Sequence, residues 1–321
     1  FDRLILYGFL LFVVQVSIMY LYYRYCKKHF EESHFSRYWD KNVFKEMFVF
    51  SGWSVCSYVS TGVVSQIYNL MLNLFFGLVV NAARAIAYQV QTTVYNFVIN
   101  FQVALNPQII KNHASGNEER VYELVLLSSR VSFSLLYILL FPLLVNIDYL
   151  LSLWLVKVPE NANLFIILIC LSSTFGTFGN PLSVVAEAAN RLKYYNQVTI
   201  PLYLIPVLFS YLLLKVGSPA ATVFLMTIFV EFIAFFLKLK IAHKLINIPI
   251  KQDLFLYLKC TFSVFVAIIL GYIIRQYLDN TLLTTLIALI CCGLFSLIWI
   301  VCFILSKQER CFIINKVRNG R

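Results

Sequence analysis

The chain has 321 residues, 60% of them hydrophobic and 13% charged, and carries a formal net charge of +11. A soluble globular domain has a smaller apolar share and about twice the charged share, so a single water-surrounded core is excluded and a bilayer is the expected solvent. The excess of positive charge does not point to nucleic acid, because it is dispersed in the connections between apolar runs.

Nine runs near the ~20 residues needed to cross about 30 Å of hydrocarbon are predicted as transmembrane helices. They extend from Leu4 to Tyr23, Met47 to Leu72, Leu78 to Leu105, Leu124 to Val145, Leu164 to Ala186, Val198 to Leu214, Ala221 to Leu237, Cys260 to Ile274 and Leu282 to Leu305. The fold expected is all-α, a polytopic integral membrane protein. Phe1 stands almost directly before the first run, which carries neither a basic leader nor a small-residue cleavage site. The chain is expected to be the later part of a longer protein, with a processed N-terminus as the alternative.

The second run places Ser54, Ser57, Tyr58, Thr61, Ser65 and Asn69 at helical spacing along one side. The third, within "NLFFGLVVNAARAIAYQVQTTVYNFVINFQVALNPQ", is more polar still. At 100° per residue, Asn81, Arg84, Tyr88, Gln89, Gln91, Thr92, Thr93, Tyr95, Asn96, Asn100, Gln102 and Asn106 fall on an arc of roughly 200°. Ala83, Ala87, Val90, Val94, Val98 and Phe101 fill the remainder. Polar side chains turned toward lipid are costly, so such faces point to the bundle interior or a water-filled path. Two adjacent faces of this kind predict a hydrophilic cavity, with Ser54, Thr61, Ser65, Asn69, Asn81, Arg84, Tyr88, Gln91, Asn96 and Asn100 as its solute-binding side chains. The alternative for any one of them is interhelical glue.

A third wall is expected from "SSTFGTFGNPLSVVAEAANRLKYYN", where Gly176, Gly179, Asn180 and Pro181 would loosen a helix. Close packing of small residues competes with that reading. Glu187 is the acid this reading selects as lying inside a hydrophobic span. It is the candidate for ion coupling, with a salt bridge to Arg191 as the alternative.

Connections alternate in Lys and Arg content. Arg24 to Lys45, Lys111 to Arg130, Arg191 to Lys193, Lys238 to Lys259 and Lys307 to Arg321 together hold 21 of the 26 basic residues. By the positive-inside rule these connections and the C-terminus are cytoplasmic, beside anionic headgroups. The longest outward connection, "NIDYLLSLWLVKVPENA", is expected to be an interfacial hairpin with Trp154 at the headgroups. The eight cysteines show no paired metal or redox spacing, and the four histidines fall in connections. Neither a metal site, a cofactor nor a catalytic constellation is expected.

"WDKNVFKEMFVFSGW", "NLFFGLVVNAARAIAYQV", "NFQVALNPQIIKNHASGN" and "LSLWLVKVPENA" together resemble bacterial polysaccharide flippases of the Wzx type, within the superfamily of multidrug and toxin extruders (MATE-like). The resemblance covers most of the chain and is strongest from Trp39 to Glu160. It implies two helical bundles around a central cavity, of which this chain supplies part. Residues 1–23 would be the last helix of an N-terminal bundle and 24–46 a cytoplasmic linker. Residues 47–240 would form the cavity-lining C-terminal bundle, and 241–321 two additional helices and a basic tail. It also implies export of undecaprenyl-diphosphate-linked oligosaccharide across the bacterial inner membrane, for O-antigen of lipopolysaccharide or for capsule. A glycan polymerase of the same pathway is an implied partner, and proton or sodium coupling an open question. The segment "AEAANRLKYYN" departs from the family pattern, which leaves roles for Glu187, Arg191 and Lys193 unassigned.

On this expectation an amide- and hydroxyl-walled cleft replaces sugar hydration, and an arginine partners the diphosphate through its planar fork. Two other functions remain in view. An ion-coupled multidrug exporter of the same fold would need acids in the cavity, and a membrane glycan polymerase would need a large outward loop.

Overall fold

The computed structural model describes residues 3–33, 39–246, 250–277, 281–306 and 309–311. Among them there are helices and no strand. The long helices are α1 (Arg3–His29), α2 (Lys41–Phe76), α3 (Leu78–Ala114), α4 (Glu118–Val145), α6 (Ala162–Ala188), α7 (Leu192–Lys215), α8 (Ala221–Ile246), α9 (Ile250–Tyr277) and α10 (Leu282–Trp299), with a short α5 (Ile147–Trp154) after α4. Eight of the described helices are long and apolar enough to cross a membrane. The ninth expected span is α3, 37 residues long, whose arginine and amides dilute its hydropathy. It packs between α4 and α6, both candidate spans. The protein is an all-α, multi-pass membrane protein.

The chain divides into two compact units, Phe1–Val49 and Phe50–Arg321. In the first, α1 exposes its apolar side chains all round and carries Lys27 and Lys28 in its last turn, cations that suit the negative end of the helix dipole. Further along the same unit, the Trp39 and Phe44 rings lie 4.6 Å apart.

In the second unit α6 is the central helix, packed on α3, α8 and α4, while α4 also carries α9 and α10, and α7 lies on α8. Two apolar clusters hold this arrangement. One gathers Phe133, Phe178, Phe235, Tyr257 and Cys260 from α4, α6, α8 and α9. The other gathers Leu72, Val98, Phe165, Ile166 and Phe224 from α2, α3, α6 and α8. Local chemistry sets the turns. Gly77 has φ 79° between α2 and α3, a conformation open to glycine at little steric cost. Asn117 accepts a hydrogen bond from the Arg120 backbone N–H, and Glu118 and Glu119 occupy the first turn of α4, which satisfies a free donor and the dipole together. After α4, the expected outer hairpin is built on α5, held by a hydrogen bond from Asn163 to the Asp148 carboxylate.

The connection expected from Lys238 to Lys259 is largely helix. α8 continues to Ile246, and α9 begins at Ile250, ten residues before its predicted apolar start at Cys260. Lysines are good helix formers and can lay their stems on apolar surface. Lys259, for example, sits 4.6 Å from the centre of the Phe255 ring. Lys238 is no loop residue at all: it lies within α8 and is buried.

Candidate functional site

The second helix makes the site by standing partly away from the bundle. At one end it is anchored by buried Tyr68, Met71 and Leu72. Nearer its start, the Trp53 carbonyl accepts a hydrogen bond from Asn196 of α7 at 3.0 Å. Between these attachments Ser54, Ser57, Tyr58, Thr61 and Ser65 line a cavity of about 570 Å³ whose other walls come from α6, α7, α8 and Tyr88 of α3. A deeper recess of about 290 Å³ between α3, α6 and α8 shares Tyr88, Asn180, Tyr203, Thr227, Glu231 and Lys238 with it. Both sizes fall within or near the range of ligand pockets.

The structure sorts the expected site residues into three groups. Ser54, Thr61, Ser65 and Tyr88 line the larger cavity and Gln91 the recess, where Gln91 donates to Ser173 at 2.9 Å. Asn69, Asn81 and Arg84 lie where α3 meets α2. The Arg84 guanidinium donates to the Asn69 side-chain oxygen at 3.3 Å, to the Ser65 carbonyl at 3.0 Å and to the Ser65 hydroxyl at 3.1 Å, and stacks 4.5 Å above the Tyr88 ring. It is 6% exposed and lines neither the cavity nor its recess. Asn81 is half-buried, with its side-chain oxygen shielded and unbonded. Asn96 and Asn100 form the third group. They are exposed, together with Thr92 and Thr93, on a side of α3 that the rest of the second unit leaves uncovered. Val94 is buried and Phe101 half-buried.

The amide ladder is thus divided between two duties. Its inward members repair α6. Pro181 has no N–H, which deprives the Thr177 carbonyl of its helical partner, and Gln102 donates to that carbonyl at 3.1 Å. Asn180 then donates to the Gln102 side-chain oxygen and to the Tyr95 hydroxyl, each at 3.2 Å. With its broken hydrogen bond replaced from α3, α6 runs as one helix from Ala162 to Ala188. Gly176 and Gly179 provide room. A Cβ at Gly176 would lie 2.6 Å from the Tyr95 hydroxyl, and one at Gly179 would lie 3.0 Å from the Lys238 ammonium.

The selection of Glu187 as the acid inside a span needs correction. Glu187 is exposed at the end of α6 and, although it borders the cavity, it makes no ion pair with Arg191 among the described residues. The acid within a span that faces the cavity is Glu231, half-buried mid-way along α8. It accepts a hydrogen bond at 3.3 Å from the Tyr203 hydroxyl, which in turn accepts one at 2.9 Å from the Lys238 ammonium. The signal was present in the sequence, since Glu231 falls inside the run from Ala221 to Leu237 and Lys238 follows seven residues later on the same helical face. Tyr203 had no such mark among the 20 tyrosines.

Among the described residues no group of three His, Cys, Asp or Glu side chains converges as a metal site. What the cavity offers is hydroxyls, amides and phenols, with one ammonium, Lys238, and two carboxyls, Glu231 in its wall and Glu187 at its border. Comparison with known proteins adds no assignment: no protein-family model, no curated protein and no solved structure matches the chain.

Proposed function

We propose that the protein carries a hydrated, lipid-anchored solute across the membrane. Within that class, the solute is undecaprenyl-diphosphate-linked oligosaccharide, flipped outward across the bacterial inner membrane by a chain whose C-terminus is cytoplasmic. The observation that carries this reading is the cavity itself. A space of about 570 Å³ within a bundle of apolar helices, where Ser54, Ser57, Thr61, Ser65, Asn180 and Ser183 stand among tyrosine rings, offers a sugar both hydrogen-bond partners for its hydroxyls and aromatic faces for its ring. Moving a hydrated sugar and a diphosphate through hydrocarbon unaided is prohibitive. Hydroxyl and amide walls replace the lost water, while the prenyl tail stays in lipid. Asn96 and Asn100 add a second polar surface, on the side of α3 that the rest of the second unit leaves uncovered. The test is reconstitution into vesicles with fluorescent lipid-linked oligosaccharide. Protein-dependent loss of the label's protection from a membrane-impermeant quencher supports the reading, and protection equal to that of protein-free vesicles refutes it.

A second reading, an ion-coupled exporter of cations, is favoured by one specific observation: Glu231, half-buried in the cavity wall, supplies the acid that such an exporter requires. Uptake of lipophilic cations by inverted vesicles, driven by a proton or sodium gradient and lost in Glu231→Gln, would select it.

A further inference from the structure

We infer that Lys238, Tyr203 and Glu231 form a proton-linked binding site for an oxyanion, a carboxylate or a phosphate. The anion rests against the Lys238 ammonium, and Glu231 takes up one proton as it binds. This rests on the reading of the cavity as the solute's path and says where the solute's negative charge is held.

Geometry leads to the site. Glu231 and Lys238 are seven residues apart on α8, about 10 Å along the axis and nearly two full turns, so both face the same side. Neither has an ion-pair partner within 4 Å among the described residues. Tyr203, from α7, fills the gap between them. An ammonium can only donate, so the phenol must accept from Lys238 and turn its own proton to Glu231. In this state a cation and a carboxylate balance across one hydroxyl. Lys238 nevertheless has three donors and lines both the cavity and its recess. Opposite it stands Gly179, where any Cβ would press on the Lys238 ammonium.

Charge balance supplies the link to protons. An unpaired buried ion costs several kcal/mol, so the cavity remains near neutral as its contents change. Adding one anion at Lys238 to an ionised Glu231 leaves a net negative charge, and a proton drawn from bulk solution onto the Glu231 carboxyl removes it. No other group facing Glu231 is as well placed to do this. Tyr68 of α2, Tyr95 of α3 and Tyr195 of α7 are phenols, neutral near physiological pH by their ordinary chemistry. Glu187 of α6 is exposed at the end of its helix, and Arg84 of α3 is held by Ser65 and Asn69.

Calorimetry on the purified protein in lipid nanodiscs, between about pH 6 and pH 8 and in two buffers of different ionisation heat, tests the inference. The probes are glucuronate, inorganic pyrophosphate and, as the neutral control, glucose. One of the two anions should bind with about one more proton taken up by the parent than by Glu231→Gln, and its Kd should weaken about tenfold per pH unit. Glucuronate binding identifies an acidic sugar as the source of the charge, and pyrophosphate binding identifies the lipid diphosphate. Glu231→Gln should bind with a pH profile set by the anion's own ionisation alone, which is flat for glucuronate; Lys238→Arg should retain binding, and Lys238→Met should lose it. Equal proton uptake by the parent and Glu231→Gln would overturn the inference, as would parental affinity in Lys238→Met or binding of neither anion to the parent. If Lys238→Met does not fold, Glu231→Gln decides alone. Binding without flipping in vesicles would count against the flippase reading only. Flipping undiminished in Lys238→Met would count against this site only.

Discussion

Arg84→Ala removes the clamp that holds α2 to α3, and its effect can be worked from the three hydrogen bonds the guanidinium makes to Ser65 and Asn69. Side-chain hydrogen bonds within membranes are worth about 0.6 kcal/mol on average and up to about 1.7 each. Three of them give about 2–5 kcal/mol for opening this stretch of α2. At about 1.4 kcal/mol per factor of ten, local opening should become roughly thirty- to several thousandfold more frequent. Hydrogen exchange of the peptide spanning Ser54 to Asn69, read by mass spectrometry in nanodiscs, should accelerate by up to that factor, while α4 and α6 remain protected. Under the proposed function, export of lipid-linked oligosaccharide should fall with it although the protein still inserts. Arg84→Lys should restore only part, because it returns the charge without the planar fork. A Ser65→Ala, Asn69→Ala double variant should reproduce much of the loss, since it removes two of the three acceptors. Should that double variant export normally while Arg84→Ala abolishes export, the arginine acts on the solute's diphosphate and not through α2. Unchanged exchange of α2 in Arg84→Ala would refute the clamp outright.

Gly176→Leu should destabilise the bundle by about 1–3 kcal/mol through overpacking against the Tyr95 hydroxyl, seen as a lowered thermal unfolding midpoint. Gly179→Ala meets the flexible end of Lys238, and should leave that midpoint nearly unchanged while lowering export. Asn96→Leu with Asn100→Leu should slow glycan export with little loss of folded protein, because both side chains are exposed and hold no helix in place; activity equal to the parent's would remove them from the path. On a background without native cysteines, Lys157→Cys should label with a membrane-impermeant reagent on intact cells and Asn117→Cys should not, and the reverse pattern would invert the topology. The companion expectations, Asp279 outside and Asn247 and Lys316 inside, lie outside the described residues.

The nine helical runs and the polarity of two of their faces were legible in the sequence because both are periodic properties of single helices. Hydrophobic length announces a span, and a 100° repeat announces a face. Glu231 and Lys238 carried the same kind of signal, a charged pair seven residues apart, although the sequence reading selected Glu187 and placed Lys238 in a connection. Which neighbour meets each face is a property of packing, and only the tertiary structure decided it. Arg84 and Gln102 share an arc with Asn96 and Asn100, yet Arg84 clamps α2, Gln102 repairs the carbonyl freed by Pro181, and the two asparagines remain uncovered. Gly176 and Gly179 read alone as helix weakeners, and became spaces for Tyr95 and Lys238 once α3 and α8 were set against α6. Tyr203 had no sequence mark, because its role comes from standing on a different helix in the gap between two charges. A polar side chain in a membrane must find a partner or water, and the sequence states that need but not which of the two satisfies it.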